Sequence, residues 1–536
     1  MVKINPTFLA LVTVIAILLA YILLRGQSSN EQKCEGSSIT DVAAVTLNQL
    51  SDHYTVRRSF KYTGKRKFNK LTPGALQNRY SKNKPPVVDS LFCERWAVVT
   101  TVYEPTLAVQ KQAYIHGWCL VVVADEASPE DYHLESPHKN FVFLSVKKQH
   151  ELAAAMPFMH ALTWNHVGRK NAGYLYAILH GGKFIWDFED DVMVMSKHHS
   201  YAVPGESDLA LDDGDADSAS TVPSSMRPNA SLISPDALYE ARMPIGHCSE
   251  VLNPYPLFDP THTPAWPRGF PPDRILNNET SFEPQVETRP VKVAASSVGV
   301  VQYLANRDPD VDALYRLVRP IPLDFPLHAH QPLLLPSFMG GPCAASSVKS
   351  APVGGFSGFS TTSANAFAAV SAQDQAAPAP AAEVLPVPGV EGTVYAPYNA
   401  QSTLHMYSSF WALMLPLSVN DRVSDVWRAY VAQRLFSEVG LRVSFHSPVV
   451  THFRRPRSYL KDLFFELPLY ADALALVQLL RGWRGSPSVT TLPGRLEEVY
   501  VLLAEHGFIQ QADVVLLQSW LQALLEAGYV FPELRP

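Results

Sequence analysis

The chain has 536 residues, enough for more than one domain or for one large domain with insertions. Its net charge of −6 makes no case for a nucleic-acid partner. Five scattered cysteines without a CxxC pair exclude a structural zinc site and a disulfide framework, although one or two unassignable bridges remain open.

In chain order, the first feature is Phe8–Leu24, an apolar run at the lower limit for spanning a bilayer. The polar flank RGQSSNEQK offers no small-x-small cleavage site, so residues 1–26 read as an uncleaved transmembrane signal anchor rather than a removed signal peptide. Residues 27–91 lack apolar periodicity and read as a polar, basic stem. The sequons at Asn229 and Asn278 are compatible with a lumenal body.

Folded sequence begins near residue 92. WAVVTTVY (96–103), WCLVVVAD (118–125) and NFVFLSV (140–146) are β-rich runs, the first two separated by a segment of helix length. This alternation predicts an α/β fold with a parallel sheet region. GYLYAILHGG (173–182) predicts a helix stopped by Gly-Gly and leading into KFIWDFEDD. Two stretches, 203–226 and 340–391, are low-complexity insertions by composition. NDRVSDVWRAYVAQRLF predicts a helix with Val423, Val426, Trp427, Tyr430 and Val431 as its apolar stripe. The tail, 471–536, reads as a helical extension with two amphipathic helices from about residue 495.

The chemistry concentrates where an apolar strand runs into Asp187, Glu189, Asp190 and Asp191. Crowded carboxylates repel and lose hydration unless a cation compensates them. The strand end of an open α/β sheet is where ligands bind, and hard oxygen ligands there suit Mn2+ or Mg2+ shared with substrate phosphates. Alternation along an extended segment puts Glu189 and Asp191 on one face, towards metal and diphosphate. Asp190 then faces a ribose hydroxyl or a basic side chain. Arg169, Lys170 and Asn171 open the preceding helix, where cations and free N–H groups predict an anion site. Asp308, Asp310 and Asp312 resemble the start of a calcium loop but lack its later Gly and Glu, so they read as helix-capping and acceptor-contacting acids.

WAVVTTVY, the block WNHVGRKNAGYLYAI…IWDFEDD, GVVQYLANRDPDVDALYRL (299–317) and the segment 396–436 resemble the STELLO (DUF288) Golgi glycosyltransferases of plants and algae. The resemblance covers about 92–470 outside the insertions. It implies a GT-A-like, Rossmann-like mixed sheet flanked by helices, in a single-pass type II protein of the Golgi membrane with a lumenal catalytic domain. It implies transfer from a nucleotide sugar, foremost a UDP-sugar, to a glycan or protein hydroxyl. The family is described as associating with cellulose synthase complexes, so a non-catalytic factor assisting a polysaccharide synthase is the alternative. EDD departs from the usual DDD or DxD.

By that analogy Thr100, Thr101 and Asp125 stand where the nucleoside is held, Asp125 having turn capping as its plain alternative. Asp425 becomes the base for the acceptor hydroxyl, against the alternative that it caps its helix and pairs with Arg422 or Arg428. His452, preferred to His446, completes the metal shell, and Arg454, Arg455 and Arg457 nearby either neutralise a leaving diphosphate or only solvate a loop.

Overall fold

The strands that begin the fold are apolar almost without interruption because both their faces are covered. In the computed structural model, β1 (Arg95–Thr101) and β2 (Cys119–Ala124) pair in parallel from Trp96 opposite Cys119 to Thr101 opposite Ala124. Residues 96–99 of β1 and all of β2 are buried, the pattern expected of parallel strands with helices on both sides. The structure describes residues 91–195, 237–245, 249–275, 286–327, 330–336 and 393–535. The predicted anchor (1–26), nearly all of the stem, both low-complexity insertions and both sequons lie outside them.

The remaining strands are β3 (Phe141–Leu144), β4 (Phe184–Phe188), β5 (Val192–Val194), β6 (Leu238–Ile245), β7 (Glu287–Ala294), β8 (Val298–Asn306), β9 (Leu333–Leu334), β10 (Ser402–Met406) and β11 (Arg442–His452). They form a single mixed sheet in the order β3-β2-β1-β4-β10-β8-β11-β9-β6-β7, with β5 pairing on β11. The first four strands are mutually parallel. β10 is antiparallel to both its neighbours, β4 and β8, and β8 is parallel to β11. The expected α/β architecture with a Rossmann-like parallel half is therefore present, enlarged by an antiparallel β6–β7 pair at the far edge.

Helices cover the sheet: α1 (Leu107–Ala113), α2 (Val146–Ala155), α3 (Pro157–His160), α4 (Lys170–Leu179), α5 (Pro272–Ile275), α6 (Ala313–Val318), α7 (Asp421–Val439), α8 (Tyr459–Phe465), α9 (Leu467–Gly482), α10 (Leu492–Glu505) and α11 (Gln511–Glu526). α4 lies close on the parallel strands because Gly173 carries no Cβ. One built there would meet the side chains of Val98 and Val123 at 2.7 Å. The Gly-Gly stop behaves as read: Gly181 takes a positive φ of 84°, and the chain turns into β4.

α7 is the central helix. Asn420 caps its first turn and Gly440, at φ 74°, ends it. The predicted stripe is buried, but so is every other residue from Val423 to Phe436, charged ones included. The expectation is a helix with one apolar stripe; the finding is an interior helix with paired charges. The stretch Tyr459–Gly482 is, among the described residues, long and apolar enough to cross a membrane. Here Leu469, Ala473, Leu476, Val477 and Leu480 pack inward, and Asp462 and Glu466 are buried in ion pairs.

Both predicted tail helices form, as α10 and α11, and they enter the main core rather than trailing from it. Trp520 is fully buried, tilts against Phe158 with ring centroids 5.2 Å apart, and donates its indole N–H to the Trp411 carbonyl at 3.1 Å. Asp513 caps the loop before α7 through the N–H groups of Leu417 and Ser418. Trp520→Ala is expected to cost about 3–5 kcal/mol, the range for large aromatic deletions in a core. A urea midpoint unchanged by the substitution would mark the tail as peripheral.

Candidate functional site

The four acids at the end of β4 part ways. Asp187 points into the core and is fully buried. Its carboxylate pairs with the Lys170 ammonium, with Arg428 at 3.1 Å and with the Tyr174 hydroxyl at 2.7 Å. His405 lies 3.9 Å away, and burial, then the charges of Arg428 and Lys170, hold it well below the usual imidazole range. Neutral His405 adds no third positive charge to the cluster.

Asp190 turns the other way. One oxygen accepts from the Thr101 hydroxyl; the other meets the Arg455 guanidinium at 3.1 Å. Of the two partners the sequence offered for Asp190, a ribose hydroxyl or a basic side chain, the basic side chain is present.

Glu189 and Asp191 converge with His452. One ligand atom from each of these three side chains lies within 4.8 Å of the others. They meet because β5, immediately after Asp191, pairs antiparallel with β11, setting Val192 opposite His452. The Phe453 N–H then donates to the Asp191 carbonyl at 2.9 Å. His452 Nε2 stands 3.3 Å from Asp191 Oδ1, and Nδ1 stands 2.5 Å from the Asp308 carbonyl. The Asp308 carbonyl only accepts, which puts the proton on Nδ1 and turns the oxygen of the Gln401 side-chain amide, 2.8 Å from Nδ1, towards it. Nε2 then faces the carboxylates, as in an imidazole oriented for metal binding by a bond at its other nitrogen.

Neither Glu189 nor Asp191 has a lysine or arginine ion-pair partner among the described residues. Burial, then the Asp191 charge, push the Glu189 carboxyl up. Burial also pushes Asp191 up, but the hydrogen bond and charge of His452 outweigh it and hold it below the usual range. Burial lowers the His452 imidazole, yet its bond to Asp191 and the two carboxylate charges raise it overall. Two carboxylates thus share one imidazole. Oxygen ligands with one imidazole suit a divalent cation such as Mn2+, with Mg2+ favouring the oxygens alone.

The other residues singled out in the sequence sit elsewhere. The Arg169 guanidinium sits 3.6 Å from the centroid of the Trp164 ring and bonds to Gln149 and the Leu162 carbonyl; burial lowers it to about 10. Lys170 is spent on Asp187 and the Phe188 carbonyl. Asn171 exchanges two hydrogen bonds with the Leu415 backbone. The helix start read as an anion site is therefore interior, and its three side chains are not brought to the acidic trio. Thr100 donates to the Val123 carbonyl within the sheet. Asp125 accepts from the N–H groups of Glu126, Asn165 and His166, the geometry of its turn-capping alternative. His446 is sequestered against Tyr239, with burial lowering it to about 3.

Asp425 pairs with neither Arg422 nor Arg428. Arg268 grips it bidentately, at 2.9 and 2.7 Å, and holds Asp310 from its other edge at 2.8 Å. The Ala400 N–H adds a third bond to Asp425. A carboxylate so engaged takes a proton from an acceptor only after giving up a buried guanidinium. The sequence reading missed Arg268, which lies in the unpatterned stretch WPRG. Asp312 caps α6 through the Tyr315 N–H, as expected of these acids, and accepts from the Trp266 indole at 2.7 Å. Burial, then the Glu466 charge, push its carboxyl up to about 7.

A family model described as STELLO glycosyltransferases matches residues 422–535, which include α7, β11 with His452 and the tail helices. Two Arabidopsis thaliana proteins are similar along most of the chain. "Probable glycosyltransferase STELLO2" is 27% identical over 454 residues, covering 83% of this chain and 46% of the relative. "Probable glycosyltransferase STELLO1" is 26% identical over 449 residues, covering 82% and 45%. The resemblance to the STELLO family read from the sequence stands on these matches, and the chain spans less than half the length of the curated relatives it matches.

Two outcomes follow from the site's wiring. Lys170→Met leaves Asp187 underpaired in the interior and is expected to cost about 3–5 kcal/mol in urea denaturation; unchanged stability with weakened UDP binding would instead make Lys170 a ligand-binding cation. Asp312 has a raised folded-state value against an unfolded one of about 3.9. Its stabilising contribution is thus complete below about pH 4 and is lost as pH rises through 7. Asp312→Asn should flatten this part of the stability–pH curve, measured by urea melts between pH 4 and 8.

Proposed function

We propose that this chain carries a GT-A-like glycosyltransferase site that takes a nucleotide sugar, foremost a UDP-sugar, and transfers the sugar to a glycan or protein hydroxyl. The convergence of Glu189, Asp191 and His452 at the carboxyl end of β4 is the observation that carries this reading. These three side chains would hold Mn2+ or Mg2+, whose chemistry is to offset charge on a departing diphosphate. The fit is chemical as well as spatial: two clustered carboxylates have no lysine or arginine ion pair among the described residues and stand beside an imidazole turned towards them by the Asp308 carbonyl.

The chain's own residues supply the rest. Asp187, neutralised by Lys170 and Arg428, anchors the strand end so that the next acids emerge at fixed positions. Asp190 holds Thr101 on one side and Arg455 on the other, joining the end of β1 to the segment after β11. The Cys93–Cys119 disulfide supports a lumenal setting, since such bridges persist in oxidising compartments. With the apolar run at Phe8–Leu24, it favours a membrane-anchored protein with its body in the lumen; type II topology in the Golgi membrane is what the resemblance to the STELLO family implies.

One observation favours the second reading, a non-catalytic factor that assists a polysaccharide synthase such as a cellulose synthase complex. Asp425, the acid assigned as base, is locked to Arg268. A protein that binds the donor without transferring it would tolerate that arrangement.

Calorimetry of the full chain with UDP and Mn2+, followed by a screen of nucleotide sugars for hydrolysis and transfer, separates these readings. Metal-dependent UDP binding with turnover is expected, and Asp191→Asn should abolish both while leaving the melting temperature near that of the unaltered chain. Binding without any turnover would favour the assembly factor. Absence of metal-dependent UDP binding would remove the donor site altogether.

A further inference from the structure

Three arginines follow β11, and the structure gives them different employment. Arg454 and Arg457 both pair with the buried carboxylate of Asp462, Arg454 at 3.0 Å and Arg457 at 2.5 Å. Arg455 turns to the mouth of the site instead. Its guanidinium meets Asp190 at 3.1 Å and lies 3.7 Å from the centroid of the Tyr103 ring. Tyr103 is 48% exposed, although its backbone N–H is fixed by the Thr101 hydroxyl at 3.1 Å.

Thr101, Tyr103, Asp190 and Arg455 therefore close a loop from the end of β1 to the segment after β11, beside the acidic trio. The closure is soft. The Arg455 side chain is 35% exposed, and an ion pair of that exposure is held only weakly. A guanidinium seated over an aromatic face also occupies the slot that a nucleobase fills when it stacks. Arginine is the side chain whose fork matches a phosphate.

We propose that Arg455 is the moving cation of the donor site. In the state seen here it rests on Asp190 and Tyr103. When a nucleoside diphosphate binds, Arg455 passes to the phosphates and gives up the face of Tyr103 to the base. One residue thereby couples recognition of the two halves of the ligand. This rests on the donor-site reading above and adds to it a cation and a stacking platform that the metal trio does not supply.

The test uses the full chain, with UDP and inorganic pyrophosphate as probes in the presence of Mn2+. Arg455→Ala should weaken binding of both by about 10- to 100-fold, as for loss of a charge-assisted contact. Tyr103→Ala should weaken UDP and leave pyrophosphate unchanged or tighter. Asp190→Asn should tighten pyrophosphate more in the unaltered background than in Arg455→Ala, because only there does it release a waiting cation. UDP binding by Arg455→Ala equal to that of the unaltered chain, or a Tyr103→Ala loss equal for UDP and pyrophosphate, would overturn the proposal while sparing the donor site. Failure of the unaltered chain to bind UDP would take both readings down together.

Discussion

The structure depends on how it disposes of negative charge at the end of β4. Four acids in five positions cannot all be desolvated together without compensation. Asp187 is compensated inwardly, by Lys170, Arg428 and Tyr174, and Asp190 outwardly, by Arg455. What remains is Glu189 and Asp191, with a single imidazole between them. What singles out this place, at the mouth of a Rossmann-like sheet, is two carboxylates side by side with no lysine or arginine ion pair among the described residues. The deeper acids Asp310, Asp425, Asp462 and Glu466 each have an arginine, and Asp312 and Asp513 are each capped by N–H or O–H donors instead.

Much of this was legible in the sequence, for identifiable reasons. β1 and β2 announce themselves as apolar runs because parallel central strands are covered on both sides. The helix start, Gly-Gly stop and strand end around β4 follow one another as local signals. Glu189 and Asp191 are two apart, so elementary alternation suffices to pair them. Other contacts were out of reach because they are set by tertiary packing. Nothing local distinguishes a helix start facing solvent from one facing the core, so Arg169, Lys170 and Asn171 read as an anion site while the fold spends them internally. Asp425 looked free for catalysis because its partner, Arg268, sits in a loop without periodicity. The choice between His446 and His452 was not a matter of alternation either. They are an even number of residues apart on one strand, and an irregularity in the β8–β11 register between His446 and Val450 separates their surroundings.

The same limits apply to the edge and the tail. β6 and β7 carry mixed, partly exposed sequences and leave no strong strand signal, yet they extend the sheet. α10 and α11 are amphipathic by pattern, which shows that they bury a face without showing where. In the structure that face closes the core against α3 through Trp520 and Phe158. The family match over 422–535 takes in these helices with α7 and β11, which is consistent with their being part of the body that builds the site.

The ion lattice beside the trio gives the site its stiffness. His452 is oriented by the Asp308 carbonyl, and Asp308 is tied through its side chain to Arg316. Two residues on, Asp310 is gripped by Arg268, which also holds Asp425 on α7. Two further on, Asp312 caps α6, whose first N–H is taken by Glu466, itself paired with Arg422 of α7. Each alternate residue of the turn Asp308–Asp312 is thus pinned to a different partner, and the carbonyl that aims His452 belongs to that turn. An imidazole aimed by backbone can hold its angle only as well as the backbone is held. The calcium-like spacing DPDVD therefore serves a different end from the one it suggests: it supplies three carboxylates to a scaffold that fixes a ligand on the neighbouring strand. A change at Arg268 or Arg316 would be felt at Nε2 of His452 without touching it, so this turn, together with the acids after β4, determines whether the trio can act as one site.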